Sequence, residues 1–153
     1  LSIEAADQIA AQFFRGIGED AKKFGLEVCL EPNPSQYGAN FMLDNFSTVR
    51  VVKLTNHPSI RLQLDTGALT INQENPFEII GEYKEFIGHI HISEPGLVSI
   101  GEGGTNHSEC SKAFEKYIPK QIATIEMLPA ERARRMDTIN QSIETVINEY
   151  RNG

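Results

Sequence analysis

Long apolar runs are missing from this sequence. No stretch approaches the ~20 consecutive apolar residues that cross a bilayer, so no membrane span is expected. No segment reads as a secretory leader. Basic runs are missing as well: 14 Lys and Arg face 21 Asp and Glu, a formal charge of −7. A protein that follows a phosphate backbone needs a basic patch, so nucleic acid is not an expected partner. Cysteine is scarce, with Cys29 and Cys110 far apart. The pair reads as two reduced thiols and not as a disulfide, and the expected compartment is the cytoplasm. An initiator methionine is absent too. The chain opens at Leu1 inside a helical pattern, and the expectation is a piece of something longer. What is present is globular: 153 residues, 40% apolar and 23% charged, enough for one domain with a core.

Helix-like and strand-like segments alternate along the chain. From Leu1 to Phe24, apolar residues recur at three- and four-residue spacing, the stripe of an amphipathic helix, and Gly25 ends it. Residues 26–31 read as a strand stopped by Pro32-Asn33-Pro34, and a long loop follows. A helix is predicted over 46–54, capped by Asn45 or Ser47, then a strand over 60–65. Asn75-Pro76-Phe77-Glu78 is a helix start, and that helix is predicted to reach Phe86. A strand over 88–93, a Gly-rich loop to Gly104 and a helix from a Ser108 cap to Ile118 come next. A strand over 122–127 and a helix over 130–150 complete the pattern. Crossovers of helical length imply parallel strands, each backed by a helix.

The strand faces choose between an open sheet and a barrel. Leu26, Val28 and Leu30 alternate with Glu27, Cys29 and Glu31; Ile60, Leu62 and Leu64 with Arg61, Gln63 and Asp65. Ile90 and Ile92 oppose His89 and His91; Ala123 and Ile125 oppose Thr124 and Glu126. Each strand has one apolar face for helices and one polar face. An open doubly wound sheet covers both faces with helices and wants both apolar, whereas a barrel keeps the second face inside. The fold class is therefore α/β, a (β/α)8 TIM barrel of which residues 1–153 supply four strands with their helices, a half barrel. Glu31, Asp65, His91 and Glu126 each end the polar face of a strand. Burying them unpaired would cost several kcal/mol each, and one divalent cation, Mn, Co, Mg or Zn, would neutralise them together.

Four motifs carry a likeness. Leu30-Glu31-Pro32, Leu64-Asp65-Thr66-Gly67, His89-Ile90-His91-Ile92-Ser93-Glu94-Pro95 and Ile125-Glu126-Met127 resemble the successive metal-binding strand ends of the xylose isomerase-like superfamily. The sugar phosphate isomerase/epimerase group and the ketohexose 3-epimerases within it are the most similar. The resemblance implies that the chain supplies strands five to eight with their helices, the carboxyl-terminal half of the barrel, and that Glu31, Asp65, His91 and Glu126 hold the metal. It implies that Glu31 and Glu126 exchange a proton with a carbon beside a carbonyl, on a sugar, sugar phosphate or cyclic polyol. His89, Glu94, Asn40 and His107 are candidates for touching substrate or supporting the ligands. Two positions depart from the epimerases: Ala68 stands where they carry a substrate-binding histidine, and Leu97 where they carry an arginine. The likeness thus implies the reaction class and not the ketohexose binding mode.

Other residues read more simply. His57 before Pro58 is expected on the surface of a turn, and His107 on the surface or in a loop. Gly101 to Gly104 lacks the phosphate-loop pattern, and Arg132, Arg134 and Arg135 read as a solvated helix face. Two alternatives stand beside the isomerase: an endonuclease IV-like metal-dependent DNA repair enzyme, and an inert half-barrel that assembles with a missing amino-terminal half or a second copy.

Overall fold

The structure is a computed structural model, and it describes residues 1–151. Four strands form one sheet in chain order, β1 (Val28–Leu30), β2 (Ile60–Asp65), β3 (Ile87–Ile92) and β4 (Ala123–Ile125). β1 pairs parallel with β2, and β3 parallel with β4. Helices separate them: α1 (Ile3–Lys23) before β1, then α2 (Asn45–Thr55), α3 (Thr66–Asn72), α4 (Pro76–Tyr83), α5 (His107–Tyr117) and α6 (Arg135–Arg151). This is the alternating α/β order of a partial barrel. The chain divides into two compact units, Leu1–Leu64 with Glu85–His89, and Asp65–Lys84 with Ile90 onward.

In the first unit α1 and α2 pack together over the strands. Leu30, Val51, Val52 and Ile60 form a buried cluster, with Phe14, Ile17, Val28 and Phe86 against it. The two helices are also clamped by a forked ion pair, in which Arg50 Nε and Nη2 donate to the Asp7 carboxylate at 2.6 and 3.2 Å. α1 closes with Gly25 in the left-handed region (φ 67°) and with Leu26 N donating to Ala21 O at 3.0 Å. That bond commits Leu26 to the helix end, so β1 begins at Val28 and is shorter than its sequence suggests. α2 is capped by Asp44 and not by Asn45 or Ser47. Asp44 Oδ1 accepts from Ser47 N at 2.7 Å while Ser47 Oγ accepts from Asp44 N, a reciprocal capping box. His57 is not exposed as expected. Its side chain is 5% accessible because α1 has a glycine, Gly18, where the imidazole packs.

In the second unit β3, β4 and α3 to α6 enclose Leu69, Ile80, Ile90, Ile92, Ile100, Ala113 and Phe114. α3 is not foreshadowed by the sequence pattern; it is seven residues long and carries Gly67 in its first turn. Asn75 caps α4 as read, accepting from Phe77 N and Glu78 N, but the helix stops at Tyr83. α5 is capped by Asn106, whose Oδ1 accepts from Glu109 N, and not by Ser108. β4 is only three residues, and Ile122 beside it is 75% exposed. Arg132, Arg134 and Arg135 are exposed, but α6 begins only at Arg135, so Arg132 and Arg134 lie in the turn before it and not on a helix face. Both cysteines are free thiols, Cys29 half-buried and Cys110 buried, where desolvation pushes the Cys110 thiol up to about 12. Among the described residues no helix is long and apolar enough to cross a membrane.

Candidate metal centre

β2, β3 and β4 deliver their polar faces at their carboxyl ends. Asp65 is the last residue of β2 and the N-cap of α3, because its extended backbone (φ −123°, ψ 124°) turns directly into the helix. His91 lies one residue before the end of β3, on the face opposite buried Ile90 and Ile92. Glu126 follows β4, its backbone N–H donating to Ile92 O at 3.0 Å and so continuing the β3–β4 ladder. The strand register therefore puts two carboxylates and one imidazole at the same end of the second unit.

Their ligand atoms, one from each of Asp65, His91 and Glu126, lie within 4.8 Å of one another. His91 Nδ1 and Glu126 Oε2 are 3.1 Å apart. An octahedral ion with bonds of ~2.1 Å spaces neighbouring ligand atoms by about 3 Å, so this separation suits two atoms bound to one cation. The donor set, hard oxygens with one imidazole nitrogen, suits Mn²⁺, Co²⁺, Mg²⁺ or Zn²⁺. Electrostatics points the same way. Burial pushes the Asp65 carboxyl above its ordinary value, although hydrogen bonds from Ser93 and from the Ala68 backbone pull it back. A cation would remove that penalty. His91 and Glu126 are 19% and 38% exposed, enough for a small molecule to reach them.

Glu31 stands in the first unit, immediately beyond β1 and half-buried, and its Oε1 accepts from Gln63 Nε2 at 2.6 Å. His89 is half-buried on the polar side of β3, and Asn40 is exposed in the loop before α2. Glu94 and His107 are held together elsewhere. Both are buried, and His107 Nε2 lies 3.0 Å from Glu94 Oε1 while its Nδ1 lies 2.8 Å from Tyr150 Oη. His107 is thus an interior residue, which corrects its assignment to the surface. Glu94 also accepts from Gly101 N at 2.6 Å and from Thr105 N at 2.9 Å, fastening the loop that follows β3. Both side chains are engaged in holding that loop. Sequence reading gave no role to Ser93 and Thr66, each next to one charged residue; Ser93 Oγ donates to Asp65, and Thr66 Oγ1 holds the Ser93 backbone.

A family profile for the xylose isomerase-like TIM barrel matches residues 2–148. The chain belongs to that family. Solved structures agree on the fold. D-psicose 3-epimerase from Clostridium cellulolyticum H10, crystallised with D-tagatose, superposes with a TM-score of 0.85 at 14% identity. The 3-keto-D-glucoside 4-epimerase of E. coli gives 0.79 at 15%, and an AP endonuclease, family 2, from Brucella melitensis gives 0.75 at 20%. These matches cover 98%, 94% and 86% of this chain, but 58%, 56% and 52% of the other chains. The chain therefore spans somewhat more than half the length of these proteins. No curated protein sequence matches it.

Proposed function

We propose that this chain is the metal-holding half of a divalent-metal-dependent isomerase or epimerase acting on a sugar, a sugar phosphate or a cyclic polyol. The observation that carries the reading is the grouping of potential ligand atoms from Asp65, His91 and Glu126 at the strand ends, where barrels of this architecture place chemistry. Glu31 is proposed as the fourth member of that candidate ligand group, on its position at the end of the polar face of β1. The epimerase activities of the solved relatives named above support the reaction class.

The metal, when bound, would polarise a carbonyl or hydroxyl oxygen of the substrate and make the neighbouring carbon more acidic. The chain's residues do the rest. One carboxylate of the Glu31/Glu126 pair takes the proton from the carbon beside the carbonyl, and the other returns a proton to that carbon or its neighbour. Asp65 and His91 serve as fixed ligands. Glu126, 38% exposed against 19% for His91, is the more open of the two to a substrate.

The test is calorimetric titration with Mn²⁺ followed by solvent-deuterium wash-in at the carbon beside the carbonyl, on a panel of ketoses and ketose phosphates. Metal binding with chelator-sensitive wash-in is expected. Failure to bind any of Mn²⁺, Co²⁺, Mg²⁺ or Zn²⁺ would remove the reading. The AP endonuclease neighbour favours a second reading, DNA repair; metal-dependent cleavage of abasic duplex without wash-in would select it.

A further inference from the structure

Ser93 is fully buried at the point where β3 becomes a loop, and its hydroxyl has two partners. It donates to Asp65 Oδ2 at 2.6 Å and accepts from Gly67 N at 2.9 Å. The single O–H is committed to Asp65 and one of the two lone pairs to Gly67, and together they set the hydroxyl's direction. The other Asp65 oxygen, Oδ1, accepts from Ala68 N at 2.6 Å. Asp65 is thus gripped on both oxygens, by a side chain from β3 and by the helix that it caps, and the carboxylate cannot turn without breaking a short charge-assisted bond.

Ser93 is held in turn. Thr66 Oγ1 donates to Ser93 O at 2.8 Å and accepts from Ser93 N at 2.8 Å, so a side chain stands in for the next pair of the ladder after β2 has ended. Thr105 Oγ1 also lies 3.3 Å from Ser93 O and 3.1 Å from Thr70 Oγ1, whose own proton goes to Thr66 O at 2.9 Å. Gly67 is required by this arrangement: a Cβ there would lie 2.7 Å from Ser93 Oγ and 2.8 Å from the Glu94 carbonyl carbon and oxygen. The backbone lock fixes Ser93, and Ser93 fixes Asp65.

We infer that Ser93 is a positioning residue for the metal, orienting the Asp65 carboxylate for ligation through its hydroxyl. The inference rests on the reading of Asp65 as a ligand. Outer partners of metal ligands typically contribute 10- to 100-fold to affinity, because a ligand that is already oriented loses less freedom on binding. A serine with only a packing role would not change the metal's coordination.

The experiment uses Co²⁺, whose visible absorption reports coordination geometry. Ser93→Ala is expected to weaken Co²⁺ binding by about 10- to 100-fold and to shift the absorption bands. In an Asp65→Ala background, adding Ser93→Ala is expected to weaken binding no further, the signature of action through Asp65. Ser93→Cys, which keeps the volume and replaces a strong donor by a weak one, repeats the test should the alanine variant not fold. Wild-type protein that binds no Co²⁺ would defeat the ligand reading itself. Wild-type binding with an unchanged spectrum and affinity in Ser93→Ala or Ser93→Cys would overturn this inference and leave that reading standing.

Discussion

His107 and Glu94 meet in the interior of the second unit, Nε2 to Oε1 at 3.0 Å, with side chains 4% and 0% exposed. Burial acts to raise the Glu94 carboxyl, but hydrogen bonds from Thr105, Gly101 and His107 outweigh it and hold the group below its ordinary value. A carboxylate depressed in the folded state stabilises the protein above its unfolded value, and that contribution is lost as pH falls through the depressed value. Glu94→Gln is therefore expected to cost about 2 kcal/mol at neutral pH, the worth of hydrogen bonds to a buried charge. The deficit should shrink below about pH 4 as wild type loses the same contribution. Denaturant unfolding at a series of pH values checks this. A deficit that stays constant into acid would show that charge is not what Glu94 contributes.

Metal should act as a ligand of the folded state alone. At a free concentration 100 times Kd, linkage gives about 2.7 kcal/mol of added stability. Thermal unfolding with and without Mn²⁺ is expected to show a higher midpoint with metal, reversed by a chelator. His91→Ala and Asp65→Ala should each abolish most of that increment, whereas Arg132→Ala, on an exposed residue outside the candidate ligand group, should leave it intact. An increment that survives loss of His91 would place the metal elsewhere.

Much of this was legible in the sequence, and the failures have physical causes. β2 occupies the predicted residues 60–65 because its alternation is complete: Leu62 and Leu64 are buried on one face, and Arg61 and Gln63 half-buried on the other. β1 and β4 are shorter than predicted because strand length follows from available partners, and periodicity does not count partners. Two helix caps were misplaced to adjacent polar residues, since Asp44, Asn45 and Ser47 all have the chemistry and only backbone geometry selects among them. The burial of His107 was invisible because its partners, Glu94 and Tyr150, are 13 and 43 residues away. The candidate ligands stood out because charged groups ending the polar faces of successive strands demand a reason. Ser93 did not, because a neutral hydroxyl can be buried without announcing itself.

Gly67 gives a sharper test of how tightly the Asp65 corner is packed. An alanine methyl would meet the Ser93 hydroxyl at 2.7 Å and the Glu94 backbone at 2.8 Å, and backbone cannot move aside cheaply. Overpacking of this kind costs about 1–3 kcal/mol. Gly67→Ala is expected at the upper end of that range and should weaken metal binding as well, since Ser93 must shift. Urea unfolding and metal titration of the same variant check both effects. A stable variant with normal metal affinity would show that the corner is softer than its contacts imply.

Two glycines in one helix separate helix propensity from packing. Gly16 and Gly18 both lie inside α1, where glycine is about 1 kcal/mol worse than alanine for helix formation alone. At Gly16 a Cβ would meet nothing within 4 Å. At Gly18 it would lie 2.5 Å from His57 Nδ1 and 2.7 Å from Cγ of the same ring, and that nitrogen accepts from Ser59 N at 3.1 Å. Gly16→Ala is therefore expected to stabilise the protein by about 0.5–1 kcal/mol. Gly18→Ala is expected to destabilise it by about 2 kcal/mol, because the imidazole must leave its buried seat and give up the Ser59 bond. The two substitutions are chemically identical and two residues apart, so opposite signs in denaturant unfolding isolate the His57 contact. If both stabilise, His57 has room to move and the interior position assigned to its ring is wrong.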